Sequence, residues 1–254
     1  MKIIINADDY GRDHVVNTAI VEAFRRGYIT NTTIMCNMPH FNEAVELAKQ
    51  HGFSDKVGLH LNFFDGIPLS EAIQNEPLFF RNGKMTSYNI FHNSSYLRRF
   101  ILPTHTQSAL REEAAAQISK YLEAGFTEMH LDSHGHSHTI ISVLGTIAPL
   151  IRDSHFKTIR KSLNLYRNRS FLVKAYKALC NWLIGKQCKT TTYFTSASEF
   201  IEVMESGFVN KDATCEIMVH PNFDGNKLVN AGSTDFEILF RYLDEKNLIS
   251  FVDI

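Results

Sequence analysis

The sequence predicts an α/β fold in which parallel strands and helices alternate within one TIM-like (β/α) barrel domain. Two observations favour this fold over separate sheet and helix domains. Short strand patterns alternate repeatedly with helical patterns of about 10–15 residues, as is typical of βα units. The length of 254 residues also suits a single (β/α) barrel, so we expect residues 1–254 to form one domain.

The first quarter of the chain contains three predicted strands and two predicted helices. Ile3 to Ala7 is a short β-branched strand, which the carboxylates and the glycine of residues 8–11 interrupt. In the helix that follows, Asp13 is the expected N-cap and Gly27 the expected C-cap. Next come a second strand at 29–38, a second helix from Phe41 to near Gly52, and a third strand at 57–62.

The middle of the chain is less regular before the alternation resumes. Residues 63–106 are rich in proline, glycine and aromatic residues, and we expect a long connection with short helices that forms a lid or a substrate wall. Leu110, Ala114 and Ile118 share one stripe of a helix predicted at 109–124. Later strands are predicted at 126–134, 158–160, 190–194, 216–220 and 248–252, and later helices at 140–151, 198–205 and after a capping box of Thr234 and Glu237.

The composition indicates the compartment and the classes of partner. Lysine and arginine (26) nearly balance aspartate and glutamate (27), so the net charge of −1 gives no electrostatic reason to expect nucleic acid or an anionic membrane. The N-terminal apolar run is too short for a signal peptide or an integral membrane segment. The four cysteines form no C-x-x-C pair and are expected to be reduced. We therefore expect a cytoplasmic protein, and the sequence is compatible with a homo-oligomer as well as with a monomer.

Residues 162–189 combine basic and apolar side chains, including Tyr166, Trp182 and Lys186. Two interpretations fit helical spacing in this segment. The apolar side chains meet a lipid surface or the hydrophobic tail of a substrate, or they face the core as in an ordinary surface helix. The second arrangement is the commoner one.

The stretch from His130 to His138 is the least probable feature of the sequence, because four of the twelve histidines and one carboxylate fall within nine residues. In an extended strand the first histidine, Asp132 and His134 share one face, and Gly135 then allows the chain to turn. Clustered imidazoles at the end of a strand predict a metal centre in a cleft. The alternative is a solvated polar loop.

Other reactive side chains fall near the carboxyl ends of predicted strands. Asp8 and Asp9 follow the first strand, His60 lies in the third, and His220 precedes a proline. In a parallel barrel these ends converge, so distant residues can form one site. One carboxylate and two imidazoles make an open hydrolytic metal centre, with a second carboxylate and histidine available as base and acid. Taken singly, helix capping by the aspartates and a satisfied core histidine at His60 are the alternatives.

Four motifs, taken in order, resemble the successive motifs of the YdjC-like carbohydrate deacetylases. They are Asn-Ala-Asp-Asp-Tyr-Gly at 6–11, Val-Gly-Leu-His-Leu at 57–61, His-Leu-Asp-Ser-His-Gly-His-Ser-His at 130–138, and Glu-Ile-Met-Val-His-Pro at 216–221. The resemblance implies an irregular (β/α) barrel that removes an acetyl group from an N-acetylated amino sugar or short oligosaccharide. It does not imply which sugar, because the connections at about 63–106 and 162–195 are variable.

The resemblance also implies roles for individual residues. Asp9, His60 and His134 would bind one divalent metal ion. Asp8 would be the general base and His220 the general acid. Near neutral pH a cationic imidazole is one of the few groups able to protonate a leaving amine.

Further residues are expected to support this site. Arg160 lies in a region that resembles the family's arginine-bearing strand and would orient Asp8. Four residues are expected to lie behind the ligands or to face the substrate, because a ligating imidazole usually needs a hydrogen-bond partner: His130, Asp132, His136 and His138. Zinc suits two imidazoles and a carboxylate, and magnesium, which prefers oxygen ligands, is the alternative.

The sequence leaves two other functions open. A different metal-dependent hydrolase, such as a phosphoesterase or a glycosidase, uses the same kind of barrel and ion. A non-catalytic metal- or sugar-binding protein is the other alternative. Binding alone needs neither a spare base nor a spare acid, so the presence of Asp8 and His220 favours an enzyme.

Overall fold

The computed structural model describes residues 1–86, 96–208, 210–232 and 234–254. The strands, in chain order, are β1 (Lys2–Tyr10), β2 (Asn31–Ile34), β3 (Val57–Leu61), β4 (Phe80–Arg81), β5 (Lys84–Met85), β6 (His130–Ser133), β7 (Thr158–Ile159), β8 (Tyr193–Ser196), β9 (Thr214–Val219), β10 (Pro221–Asp224) and β11 (Lys227–Asn230). The α-helices are α1 (His14–Arg25), α2 (Phe41–Gln50), α3 (Glu71–Gln74), α4 (Thr104–Glu123), α5 (Ile141–Asp153), α6 (Phe171–Gly185), α7 (Ala197–Glu205) and α8 (Phe236–Phe240).

Seven parallel strands form the main sheet, in the order β7-β6-β3-β2-β1-β9-β8. This is the order of a barrel opened between β7 and β8. Hydrogen bonds from Ile159 N to Lys189 O (3.0 Å) and from Asn164 N to Phe194 O (3.1 Å) link the two edges. The predicted α/β class is therefore confirmed, but the barrel is not fully closed. The two residues of β7 are too few for a continuous ladder across this gap.

Alternate residues of the strands have different surroundings, as expected from the period of two. One set packs in the apolar core with the helices: Ile3, Ile5 and Ala7 of β1, Leu59 and Leu61 of β3, Leu131 of β6, and Ile217 and Val219 of β9. The other set includes the buried polar residues Asn6, Thr33, His60, Asp132 and Glu216. These polar residues face the inside of the curved sheet, where they contact one another.

Most predicted helices are confirmed, with small differences at their ends. In α1 the Asp13 side chain accepts a hydrogen bond from Val16 N (2.8 Å), as expected for an N-cap. The helices predicted at 109–124, 140–151 and 198–205 are present as α4, α5 and α7.

Two predictions near the C-terminus are wrong. The capping box at Thr234 does not form, because α8 begins after Asp235 and has no side-chain cap. Residues 248–252 form no strand beyond a single bridge between Leu248 and Ile3. The Ser250 and Asp253 side chains instead make a capping box, which turns the chain into a short 3-10 helix.

The connection predicted at 63–106 contains α3, the β4–β5 hairpin and a 3-10 helix at Tyr96–Arg99. Residues 87–95, part of the predicted lid or wall, lie outside the described residues. Within the described ranges, every helix is either too short or too polar to span a lipid bilayer.

Helix α6 is only partly the ordinary surface helix that the commoner interpretation of residues 162–189 predicts. Ile184 belongs to the apolar core and Leu183 packs against it. At the other end of the helix, Phe171 is 80% exposed and Leu172 is 78% exposed. The N-terminal part of the apolar face of α6 is therefore presented at the surface.

Candidate metal centre and catalytic site

The end of β1 brings two adjacent carboxylates into the same site. Asp9 has a positive φ of 69°, a conformation that aspartate adopts more readily than most residues. The pairing of β1 with β2 is irregular between Ala7 and Tyr10. The chain therefore turns at Asp9, within the stretch of residues 8–11 that was predicted to interrupt the strand. Neighbouring side chains that would point apart in a regular strand therefore both reach the site.

Asp9, His60 and His134 converge on one small volume. Asp9 Oδ1 lies 2.9 Å from His134 Nδ1 and 3.3 Å from His60 Nε2. Ligand-type atoms of all three residues lie within 4.8 Å of one another. The three side chains come from the ends of β1 and β3 and from the turn after β6. This set of one carboxylate and two imidazoles is of the kind that holds zinc.

Each of the two imidazoles has a second carboxylate behind it. His60 Nδ1 lies 2.7 Å from Asp132 Oδ1, and Thr33 donates a hydrogen bond to the other oxygen of Asp132 (3.1 Å). His134 Nε2 lies 3.1 Å from Asp65 Oδ2. Such carboxylates fix the orientation of metal-binding imidazoles and raise their basicity. The sequence interpretation included Asp132 among the supporting residues but missed Asp65.

Arg160 follows β7 and is completely buried. Its two terminal nitrogens each lie 2.6 Å from an oxygen of Asp8, which also accepts a hydrogen bond from Asn6 Nδ2 (2.9 Å). One terminal nitrogen also lies 2.8 Å from Asp132, and Nε donates to Glu216 at 2.5 Å. One guanidinium therefore holds three carboxylates in fixed positions. Glu216 was also missed in the sequence interpretation.

The surroundings of the ionisable groups set their pKa values. Burial lowers the pKa of His60, but the charge and hydrogen bond of Asp132 outweigh it and raise that pKa to about 10. For His134, burial also lowers the pKa, and hydrogen bonds to Asp65 and Asp9 raise it to about 9. Burial raises the pKa of Asp9, yet its hydrogen bonds to the two histidines hold it well below the usual range. Burial raises the pKa of Glu216 to about 7, against the charge of Arg160.

His220 lies at the mouth of this site, immediately after β9. Its backbone N–H donates to Asn230 Oδ1 (2.8 Å), and its carbonyl accepts from Ala231 N (2.8 Å), so the β10–β11 hairpin fixes the residue at both ends. A small cavity is lined by His220 together with Asp8 and Asp9. Residues from the first and last quarters of the chain thus share one cleft.

The other histidines of the 130–138 stretch have different surroundings. His130 is buried, stacks on Phe251 and lies 2.9 Å from Thr158 Oγ1. His138 is also buried, 2.6 Å from the Ser133 hydroxyl and 3.0 Å from the carbonyl of Arg160. Burial lowers the pKa of His130 to about 3 and that of His138 to about 4, so both are neutral and stabilise the packing behind the site.

His136 alone among the supporting histidines is partly exposed. Its φ of 57° turns the chain after Gly135, and its ring packs edge-on against Phe194 at 5.5 Å between centroids. Phe194 also lies beneath the guanidinium of Arg160 at 4.7 Å. His136 therefore lies beside the site and also lines a neighbouring cavity.

Comparisons with known proteins show several similar chains. A carbohydrate deacetylase of Clostridium beijerinckii is 29% identical to this chain over the full length of both proteins. One from Thermoanaerobacter pseudethanolicus is 28% identical over 98% of this chain and 93% of its own length. One from Vibrio cholerae is 42% identical over 55% of this chain and 50% of its own length.

A solved structure and a family model extend the comparison. An Enterococcus faecalis protein named for cellobiose-phosphate cleavage superposes with a TM-score of 0.73 at 23% identity, covering 98% of this chain and 96% of that one, and so shares the fold. The model described as YdjC-like protein matches residues 2–248. Since this match spans nearly the whole sequence and includes every strand of the main sheet, the chain belongs to the YdjC-like protein family.

Proposed function

We propose that this chain is a metal-dependent carbohydrate deacetylase, which hydrolyses the acetyl amide of an N-acetylated amino sugar or short oligosaccharide. The convergence of Asp9, His60 and His134 beside Asp8 and His220 is the observation that carries the proposal. The names of the relatives support the same activity, because carbohydrate deacetylases align with this chain over its full length.

The residues present fit a divalent metal ion. Asp9, His60 and His134 would hold it, and Asp132 and Asp65 already lie behind the two imidazoles. In the described part of the site, carboxylates outnumber the buried cation Arg160, so a divalent cation would offset excess negative charge. When bound, such an ion polarises the amide carbonyl and lowers the pKa of water. Zinc suits this donor set, and magnesium is the alternative.

Asp8 is the proposed general base. Arg160 and Asn6 occupy three of the roughly four lone-pair positions of its carboxylate, and the free one belongs to Oδ2. The arginine fork fixes the plane of the carboxylate, so this free position has a defined direction. Asp8 can therefore accept a proton from the attacking water without a change of its own position.

His220 is the proposed general acid. The β10–β11 hairpin holds its backbone. His220 follows Val219, which pairs with Ala7 of β1, and it lines the same cavity as Asp8 and Asp9. An amine leaves readily only when it is protonated, and an imidazolium can supply that proton near neutral pH. Asp8 belongs to β1 and His220 directly follows β9. The base can therefore act on the water that attacks the amide carbon, while the acid protonates the amide nitrogen.

The test is acetate release from N-acetylated mono- and oligosaccharides, with and without chelator. We expect turnover that chelation abolishes and added zinc restores. Asp8→Asn should keep the bound metal, measured by elemental analysis, and lose activity by about 10²–10⁴-fold. Release of phosphate, or of a cleaved glycoside without acetate, would favour a different hydrolase. Near-normal activity of Asp8→Asn would show that another group is the base.

A further inference from the structure

A large cavity with mainly apolar walls lies beside the proposed catalytic site. Its volume is about 590 Å³, within the range of small-molecule sites. The apolar walls are formed by Phe100, Ile140, Leu163, Leu172, Val173 and Tyr176. The proposed deacetylation does not use this space.

The cavity shares two loops with the catalytic site. His136 and Ser162, which line it, lie two residues after His134 and Arg160 respectively. Successive Cα atoms are about 3.8 Å apart, so each backbone pair is separated by less than about 8 Å. Both loops follow strands of the main sheet, β6 and β7, at the edge that carries the active site. The cavity therefore adjoins the proposed metal centre along these two loops.

Specific contacts fix helix α6 against these loops. Asn181 Oδ1 accepts a hydrogen bond from Ser162 N (2.8 Å), and Asn181 Nδ2 donates to the Ser162 carbonyl (3.1 Å). Cys180 Sγ donates to the carbonyl of Thr139 (3.1 Å). Phe100 and Tyr176 form an edge-to-face ring pair across the cavity wall. The wall is thus held by hydrogen bonds on one side and by aromatic packing on the other.

Cationic side chains line the cavity. Arg99 and Lys177 are among the described lining residues, and those residues include no aspartate or glutamate. Burial lowers the pKa of Lys177, and a bound anion would favour its charged form. An occupant of this cavity should therefore combine an apolar body with a negative charge.

We propose that the cavity binds the aliphatic chain of an N-acetylated sugar that is joined to a lipid through a phosphate. The sugar part of this inference rests on the proposed deacetylase function, whereas the aliphatic part rests on the cavity alone. The apolar walls match the aliphatic chain, and the lining cations Arg99 and Lys177 match the phosphate. The lip of the cavity is open to such a ligand because Leu172 is 78% exposed.

Calorimetric titration with butyl, octyl and dodecyl phosphate below their micelle concentrations tests the cavity without catalysis. We expect affinity to rise roughly threefold for each added methylene until the cavity is filled. Neutral octyl glucoside should bind more weakly than octyl phosphate. Equal affinity for butyl and dodecyl phosphate would overturn the proposal. So would binding to anionic vesicles without any dependence on the chain length of the soluble ligands, which would indicate a membrane-docking face.

A matched pair of variants locates the binding. Leu172→Glu places a negative charge on the lip and should weaken dodecyl phosphate binding at least tenfold. Leu179→Glu alters the same helix at another exposed position, outside the cavity lining, and should have little effect. Equal losses in the two variants would contradict the assignment. Circular dichroism checks that both variants are folded.

A kinetic comparison connects the cavity to the site. Acetate release from an alkyl-phosphate-linked N-acetylated glucosamine should exceed that from its methyl glycoside at least tenfold in kcat/KM, and Leu172→Glu should remove only this advantage. Equal kcat/KM values would overturn the proposed substrate. If no N-acetylated sugar releases acetate while the chain-length dependence of binding persists, the deacetylase function fails and the aliphatic site stands.

Discussion

Arg160 is the residue on which the arrangement of the buried carboxylates depends. Its guanidinium contacts Asp8, Asp132 and Glu216 at 2.5–2.8 Å. Two of these contacts have direct consequences for the proposed chemistry, since Asp8 is the proposed base and Asp132 orients His60. The five N–H donors of the planar guanidinium bind Asp8 bidentately and still reach two more carboxylates, whereas an ammonium group has only three donors and no planar fork.

Arg160→Lys should therefore keep the positive charge but lose the planar set of hydrogen bonds that positions the three carboxylates. We expect kcat to fall about 100-fold with a smaller change in KM, because the base is misplaced rather than removed. The free energy of unfolding should fall by roughly 3 kcal/mol through lost charge-assisted hydrogen bonds. Steady-state kinetics and urea unfolding measure the two effects. Arg152→Lys, at an exposed arginine, is the control, and similar results for both variants would contradict this role.

Asp132 should act on the metal through His60. Asp132→Asn weakens the partner of His60 Nδ1, so the imidazole becomes less basic and less well oriented. We expect metal affinity to fall about 10–100-fold, as measured by competition with a fluorescent chelator. Asp153→Asn changes an exposed aspartate of α5 and should leave metal affinity unchanged. An unaltered affinity in Asp132→Asn would show that His60 needs no support from this carboxylate.

The sequence interpretation brought together the right strand ends but not every partner. The alternation of strands and helices predicts that Asp8 and Asp9, His60, the histidines of 130–138 and His220 converge, whereas the choice of Asp9, His60 and His134 as ligands came from the family resemblance. Asp65 lies in an irregular connection, and no periodicity indicates that it would reach His134, 69 residues later in the chain. Glu216 precedes an apolar run, so its pairing with Arg160 depends on which strands the sheet brings near each other.

At the scale of elements, the turn after β3 shows how a loop positions a functional carboxylate. Asn62 Oδ1 accepts hydrogen bonds from the N–H groups of Phe64 and Asp65, both at 3.1 Å. The carbonyl of Asp65 accepts from Asn37 Nδ2 at 2.9 Å. Gly66 then adopts a φ of +78° with its Cα close to the Asn37 carbonyl. A side-chain-capped turn of this kind holds Asp65 beside His134.

Gly66→Ala should disturb this turn. An added Cβ would lie 2.5 Å from the Asn37 carbonyl oxygen, so the backbone must move. Gly83→Ala is a closely matched control, because Gly83 has a φ of +76° but open space around its Cβ position. Both variants should lose about 1 kcal/mol from the unfavourable φ. Only Gly66→Ala should lose further stability and bind metal more weakly, as measured by urea unfolding and metal titration. Equal losses of stability in the two variants would show that the added Cβ does not clash with the Asn37 carbonyl.

The predicted strands and helices were correct where a hydrophobic pattern extended over many residues. They were wrong where individual contacts determine the local structure. A short β-branched run identified β1, alternation identified β3 and β6, and 3.6-residue periods identified the helices α1, α2 and α4. Helix α6 has an equally clear apolar stripe, but the sequence does not state whether a stripe meets core or solvent. Its exposure follows from the cavity beneath it, which depends on long-range packing.

At the scale of the whole molecule, the curved sheet separates an apolar outer face from a polar interior. Helices cover the outer face, and the interior holds the buried carboxylates, imidazoles and Arg160. The parallel orientation of the strands was predictable from the alternation of elements. The incomplete closure between β7 and β8 was not, because it depends on how many residues pair between these two edge strands.

A buried glutamate away from the metal centre couples global stability to pH. Glu128 precedes β6 and is 3% exposed, with an oxygen 3.3 Å from Asn31 Nδ2. Asn31 Nδ2 also donates a hydrogen bond to Ser250 Oγ. Asn31 therefore connects Glu128, which precedes β6, to the C-terminal segment. Burial raises the pKa of Glu128 from 4.5 to about 7. Between these two values the folded state therefore holds a proton that the unfolded state has released.

Stability should consequently fall as pH rises through this window, by on the order of 3 kcal/mol from this residue. Glu128→Gln keeps a hydrogen-bonding carboxamide but cannot ionise. Its stability relative to the wild type should increase from pH 4.5 to pH 7 and level off above that, as measured by urea unfolding across a pH series. Glu123→Gln, at an exposed position of α4, is the control. A constant difference at every pH would show that Glu128 ionises equally easily in both states, because only a difference in proton affinity makes the stability gap depend on pH.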